Sequence, residues 1–283
     1  MPDAERLALE ASHALAKFEA WDVRHRRAGL PRGHQVPPAH ELLRLAASAL
    51  RDLLALEPGR SAAHFELAYC LQHGGDAAGA LTAYRRAAEC EPAHARAHLG
   101  VGNMLRLGGA GRGEEGVGVG DDHAGAHEAE AAFRRATAAA AAAAAAEDGG
   151  GAATALPEAH FNLANLLLEE RGDAGGAEAA YRAALAADPL FVAAHCNLGA
   201  LLLEHRRDAA GAEACYRAAI AVDPQHANAH YNLGVILAMP KAAGGRGAEA
   251  AARRCFQAAA RLDPTHVGAW VLCHGQHKYG IGR

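Results

Sequence analysis

Apolar and polar positions along this chain follow a helical period, and the same pattern returns several times. A histidine leads in His64-Phe65-Glu66-Leu67-Ala68, His160-Phe161-Asn162-Leu163-Ala164, His195-Cys196-Asn197-Leu198-Gly199 and His230-Tyr231-Asn232-Leu233-Gly234. With Leu71, Leu167, Leu202 and Leu237 added, the apolar or small residues fall at i, i+3, i+4 and i+7, one face of an α-helix. A second pattern follows each: Ala80-x3-Tyr84-x2-Ala87-x4-Pro92, Ala177-x3-Tyr181-x2-Ala184-x4-Pro189, Ala212-x3-Tyr216-x2-Ala219-x4-Pro224 and Ala252-x3-Phe256-x2-Ala259-x4-Pro264. The spacing predicts two amphipathic helices per unit. The Glu-Pro or Asp-Pro step ends the second, because the residue before proline avoids helical angles. From His160 to His195 is 35 residues, and from His195 to His230 is 35 again.

A single pair of such helices cannot bury its own apolar face, so repeated pairs stack on one another. Small residues (Ala68, Gly199 and Gly234 against Ala80, Ala212 and Ala252) allow close approach, while Tyr84, Tyr181, Tyr216 and Phe256 fill the wedge to the next unit. Over residues 61–274 the chain resembles the tetratricopeptide repeat (TPR) family, with histidine replacing the leading tryptophan and leucine the tyrosine of that family's pattern. Trp270 restores the aromatic in the last unit. The resemblance implies an all-α, right-handed α-solenoid of stacked helix-turn-helix repeats, with first helices lining a concave face and second helices outside.

The expected organisation is a degenerate helical unit over 1–60, then repeats over 61–92, 95–156, 157–189, 190–224 and 225–264, and a partial repeat over 265–283. In the degenerate unit, Leu7, Leu15, Phe18 and Trp21 mark one helix and Leu42 to Leu56 another, joined by a loop from Pro31 to Pro38. The second repeat is interrupted: His98 to His160 spans 62 residues. A Gly-rich stretch from Leu107 to Ala126 reads as a disordered loop, and the alanine run of 138–146 reads as a helix extension stopped at Gly149-Gly150-Gly151. Val267 to Lys278 reads as a first helix with no second, an uncapped end suited to a partner or to self-association.

Composition narrows the chemistry. Hydrophobic residues make up 51% of the 283 but aromatics only 5%, so the interior is close-packed helices with small contacts. Strand-forming residues are scarce. Three serines (Ser12, Ser48, Ser61) and four threonines (Thr82, Thr137, Thr154, Thr265) leave few nucleophiles, and no Ser/His/Asp or Cys/His set stands in a catalytic frame, so no enzyme activity is expected. A net charge of -4 disfavours nucleic acid. The charged start Met1-Pro2-Asp3-Ala4-Glu5-Arg6 is unlike a signal peptide, and no apolar window spans a bilayer; a cytoplasmic protein, with the nucleus as alternative, is expected. The six cysteines lack any Cys-x-x-Cys pair and read as small helix-borne hydrophobes.

Candidate function rests on the first helices. Two residues after the leading histidines stand Glu66, Gly100, Asn162, Asn197 and Asn232, so that three asparagines recur at one helical position. A carboxamide both donates and accepts, and a column of them can bridge the backbone of an extended peptide. Asn103 and Asn165 lie three positions further along their helices, and Tyr69 adds an aromatic. These seven (Asn162, Asn165, Asn197, Asn232, Asn103, Glu66 and Tyr69) are the expected peptide-binding residues, with Phe65, Phe161 and Tyr231 as further aromatic candidates.

The column resembles the asparagine ladder in the TPR arm of O-linked N-acetylglucosamine transferases. A carboxylate clamp needs lysines, and the chain has only Lys17, Lys241 and Lys278. The repeated histidines sit on separate helices and read as packing residues. The pairs His94/His98, His123/His127 and His226/His230 lack further ligands, so neither metal nor cofactor is expected. Gly111-Arg112-Gly113-Glu114-Glu115-Gly116 spells a dinucleotide motif but follows a helix, outside any βαβ unit.

The reading is thus a non-catalytic scaffold or adaptor that binds a protein or extended peptide. The alternatives are the substrate-selecting arm of a glycosyltransferase and, less favoured by charge and by the recurring prolines, an RNA-binding helical repeat of the pentatricopeptide kind.

Overall fold

The computed structural model describes residues 3–27, 37–110, 122–146, 156–239, 246–265 and 268. Twelve helices and no strand occur among them. They are α1 (Asp3–Arg27), α2 (Pro37–Leu56), α3 (Ser61–His73), α4 (Ala77–Cys90), α5 (Ala95–Ala110), α6 (Asp122–Ala146), α7 (Pro157–Arg171), α8 (Ala174–Ala187), α9 (Val192–His205), α10 (Ala209–Val222), α11 (Ala227–Ala238) and α12 (Arg246–Leu262).

Local chemistry sets where these helices begin and end. Three second helices open on an aspartate cap: Asp76, Asp173 and Asp208 accept the backbone N–H of Gly79, Gly176 and Gly211 at 2.8, 2.8 and 2.9 Å. They close at Glu91, Asp188 and Asp223, whose N–H groups bond back to Ala87, Ala184 and Ala219. A proline follows each, and here the leading histidines find their role. The Nε2 atoms of His64, His98, His195 and His230 hydrogen-bond the carbonyl oxygens of Pro58, Pro92, Pro189 and Pro224 at 2.9, 2.9, 2.9 and 3.0 Å. The histidines expected to pack thus also carry a polar bond. Each ring ties a first helix to the turn that precedes it, satisfying a carbonyl of that turn.

The chain forms two compact units, 1–159 and 160–283. In the first, α1 packs on α2, α3 on α4 and α5 on α6, with α2/α3 and α4/α5 joining the pairs. In the second, α9/α10 and α11/α12 pair, and α8/α9 and α10/α11 join them. Alanines line the contacts: Ala80 and Ala87 in the first unit, and Ala177, Ala184, Ala212 and Ala219 in the second, are fully enclosed. The larger buried side chains are Leu50, Leu53, Tyr84 and Phe133, and then Tyr181, Leu201, Tyr216 and Ile236. Glycine matters where an aromatic ring lies against a helix backbone. A Cβ at Gly100 would sit 2.6 Å from the Tyr84 ring, and one at Gly234 2.7 Å from that of Phe256.

Several boundaries move from expectation. Pro37 and Pro38 open α2, where a proline's missing N–H costs nothing, instead of lying in the loop; 31–36 lie outside the described residues. The presumed loop from Leu107 is helical to Ala110 and again from Asp122, so 111–121, with the Gly-x-Gly-x-x-Gly run, is the part outside them. The alanine run is helical to Ala146, while Gly149-Gly150-Gly151 falls outside. Apart from Thr265 and Gly268, the partial repeat with Trp270 also falls outside the described residues.

Candidate functional site

The recurring asparagines sit in the second unit on α7, α9 and α11, each half-buried at the same helical position. Their immediate partners come from the unit's own buried tyrosines. Burial of a phenol demands a partner for its hydroxyl. The Tyr181 hydroxyl donates to Asn165 Oδ1 in a short hydrogen bond. Asn197 Nδ2 donates to the same Asn165 Oδ1 at 3.0 Å and reaches the Tyr181 oxygen at 3.4 Å. One repeat on, Asn232 hydrogen-bonds Tyr216. Burial, reinforced by nearby acidic groups, pushes the Tyr216 hydroxyl up to about 12 against the opposing pull of Asn232, and burial likewise takes Tyr84 to about 12.

The column is therefore a set of bridges as well as a polar strip. Asn165 and Asn197 join α7 to α9 through Tyr181, and Asn232 joins α11 to α10. A signal for this lies in the sequence, though the reading of asparagines alone missed it: tyrosine precedes asparagine by sixteen residues in Tyr181/Asn197 and Tyr216/Asn232. In the first unit the residue sixteen after Tyr84 is Gly100, and the Tyr84 hydroxyl donates instead to Gln72 Oε1 at 2.8 Å. Asn162 is itself engaged in contacts.

The other expected site residues are divided between the units. Glu66 on α3 is half-buried; burial raises its carboxyl against the opposing charge of Arg60. Tyr69 belongs to an aromatic cluster, with its ring 4.3 Å from His73 and edge-on to Phe18 at 6.4 Å. Asn103 is half-buried on α5. Phe65, Phe161 and Tyr231 pack on Tyr84, Tyr181 and Phe256 at 5.6, 5.8 and 5.8 Å. Their rings hold each first helix on a second helix.

Charge and titration add detail. Glu178 on α8 pairs with Arg182 one turn on and with Arg206 at the end of α9 at 2.7 Å. Burial raises its carboxyl, but those two arginines outweigh it, and the net shift is downward. Burial alone holds His160 below its ordinary value of 6.5. Among the described residues no group of three or more His, Cys, Asp or Glu side chains is placed to hold a metal. His94 and His226 instead turn Nδ1 to the N–H of Ala97 and Ala229, both at 3.1 Å. The described cysteines are free thiols; burial pushes Cys70 up to about 12 and Cys196 up to about 11. No helix among the described residues is long and apolar enough to cross a membrane.

Comparison with known proteins agrees with this architecture. Residues 39–95 match the family described as Tetratricopeptide repeat, and residues 209–239 match that described as TPR repeat. The chain has no significant match among curated protein sequences. Among solved structures it resembles YrrB, described as a TPR protein with an unusual peptide-binding site, at 20% identity and a TM-score of 0.57, over 80% of this chain and 97% of that one. Pseudomonas aeruginosa PilF is similar at 15% identity and a TM-score of 0.59, over 92% and 96%. PilW, a widely conserved type IV pilus biogenesis factor, is similar at 20% and 0.56, over 82% and 91%. The fold is that of the TPR solenoids.

Proposed function

We propose that the chain is a protein-interaction scaffold, and that α7, α9 and α11 receive an extended segment of a partner protein. The observation that carries this reading is the register of Asn162, Asn197 and Asn232: three half-buried carboxamides at one helical position, 35 residues apart. Asn197 uses its amide N–H groups toward Asn165 and Tyr181. Its carbonyl oxygen is then the atom to accept a peptide N–H, held in place by the bonds its amide makes. The likeness to a TPR protein with a peptide-binding site supports the same kind of ligand. In the first unit Glu66, Tyr69 and Asn103 are the proposed counterparts. No residue here is proposed to do catalysis.

At about 1 kcal/mol net per hydrogen bond, three carboxamides do not hold a peptide unaided, and apolar contacts along the first helices must contribute. Micromolar affinity, about -8 kcal/mol, is the scale expected. The same asparagine register supports a second reading, the substrate-selecting arm of a glycosyltransferase. It is distinguished by whether the captured partners include sugar-modified proteins together with a transferase.

The test must separate binding from packing, because removing Asn232 strands the Tyr216 hydroxyl and removing Asn197 takes away bonds to Asn165 and Tyr181. A Tyr181→Phe/Tyr216→Phe background removes that complication. On it, changing Asn162, Asn197 and Asn232 to alanine is expected to abolish partner recovery in affinity purification, while the background alone retains it. Identical partners from both would remove the column from the site.

A further inference from the structure

We propose a second, separate site: the cleft between α2 and the end of α3 binds paired carboxylates of an extended acidic peptide. The cleft, of about 380 Å³, is lined by His40, Arg44, Ser48 and Arg51 from α2, by Cys70 from α3, and by Gly74 and Asp76 from the turn that follows.

Its origin is visible by counting from the leading histidines His64 and His195, 131 residues apart. In the second unit the corresponding place is filled: Glu178 lies between Arg182 and Arg206 and pairs with both. In the first unit Ala47 stands where Glu178 stands, Gly75 where Arg206 stands, and Arg51 where Arg182 stands. The arginine is kept and its carboxylate is gone. Among the described residues neither Arg51 nor Arg44 forms an ion pair, and both are exposed.

A second observation concerns His40. It lines the cleft, and its enclosed Nδ1 has no hydrogen-bond partner among the described residues, a polar atom that packing leaves unsatisfied beside the two arginines. Asp76, the one acidic group lining the cleft, already spends a carboxylate oxygen on the Gly79 N–H as the cap of α4.

Spacing selects the ligand. Arg44 and Arg51 are seven residues apart on one helix face, about 10 Å along the axis. A lone phosphate spans one of them. In a polyproline II segment, residues i and i+3 point the same way about 9 Å apart, so a Glu-Pro-Pro-Glu sequence presents two carboxylates at the right interval. Charge-assisted bonds from two guanidinium groups supply the attraction, and Ser48, between them in sequence, also lines the cleft.

The test uses the full chain and a fluorescent Glu-Pro-Pro-Glu peptide, followed by anisotropy. Saturable binding is expected, falling about tenfold or more in Arg44→Gln/Arg51→Gln, with the far-UV circular dichroism and melting transition unchanged. An Arg86→Gln/Arg134→Gln control, altering exposed arginines elsewhere, is expected to bind as the unmodified chain does. The Asn162, Asn197 and Asn232 variant is also expected to bind normally, since the two sites are independent. Absence of saturable binding, equal loss in the control, equal binding by Arg44→Gln/Arg51→Gln, or binding of inorganic phosphate but not the peptide would each overturn the proposal.

Discussion

A buried phenol is a demanding side chain, because its ring favours the interior while its hydroxyl needs a hydrogen-bond partner there. Tyr181 and Tyr216 are 1% and 2% exposed, and both meet that demand with a carboxamide from a neighbouring helix. The asparagines therefore carry stability whatever else they do. Tyr216→Phe alone leaves Asn232 short of a partner, and Asn232→Ala alone strands the Tyr216 hydroxyl, each costing about 1–3 kcal/mol. Removing both is expected to cost less than the sum of the two, by about 1 kcal/mol in a double-mutant cycle read by denaturant unfolding. Strict additivity would mean the pair does not interact. The histidines follow the same logic. Their Nε2 atoms serve the carbonyls of Pro58, Pro92, Pro189 and Pro224, so a Pro-x5-His spacing is a turn lock.

At the scale of the element, the packing of each pair is decided by how closely a ring can approach a backbone. Phe256 of α12 lies where a Cβ on Gly234 of α11 would meet it at 2.7 Å, and its side chain is only 6% exposed. Gly234→Ala gains helix propensity of about 1 kcal/mol but forces the ring or the helix aside. A net destabilisation of about 1–3 kcal/mol is expected, lowering the melting midpoint. An unchanged or raised midpoint would show that α11 and α12 have slack.

The helices themselves were legible in the sequence because Ala, Leu and aromatic residues recur at helical spacing, and the Glu-Pro and Asp-Pro steps mark where the second helices stop. Less legible was what polar residues do once two helices meet. Asn197 reads as a groove residue from its place on α9, and only the position of Tyr181 on another helix reveals its bridge. The Asp-x-x-Gly run at 76–79, 173–176 and 208–211 was equally open to inspection as a cap, but it lies between the apolar positions that define the repeat.

At the scale of the molecule, stacked pairs give stability through nearest neighbours, and in the second unit Asn162, Asn197 and Asn232 stay half-buried at one position of α7, α9 and α11. Peptide docking on α7, α9 and α11 is the claim on which the functional account depends. It is tested most directly by hydrogen–deuterium exchange on the chain with and without a bound partner peptide recovered by affinity purification. The account predicts added protection in α7, α9 and α11, centred on the turns that carry Asn162, Asn197 and Asn232. Protection confined to α8 and α10, with those three helices unchanged, would contradict it.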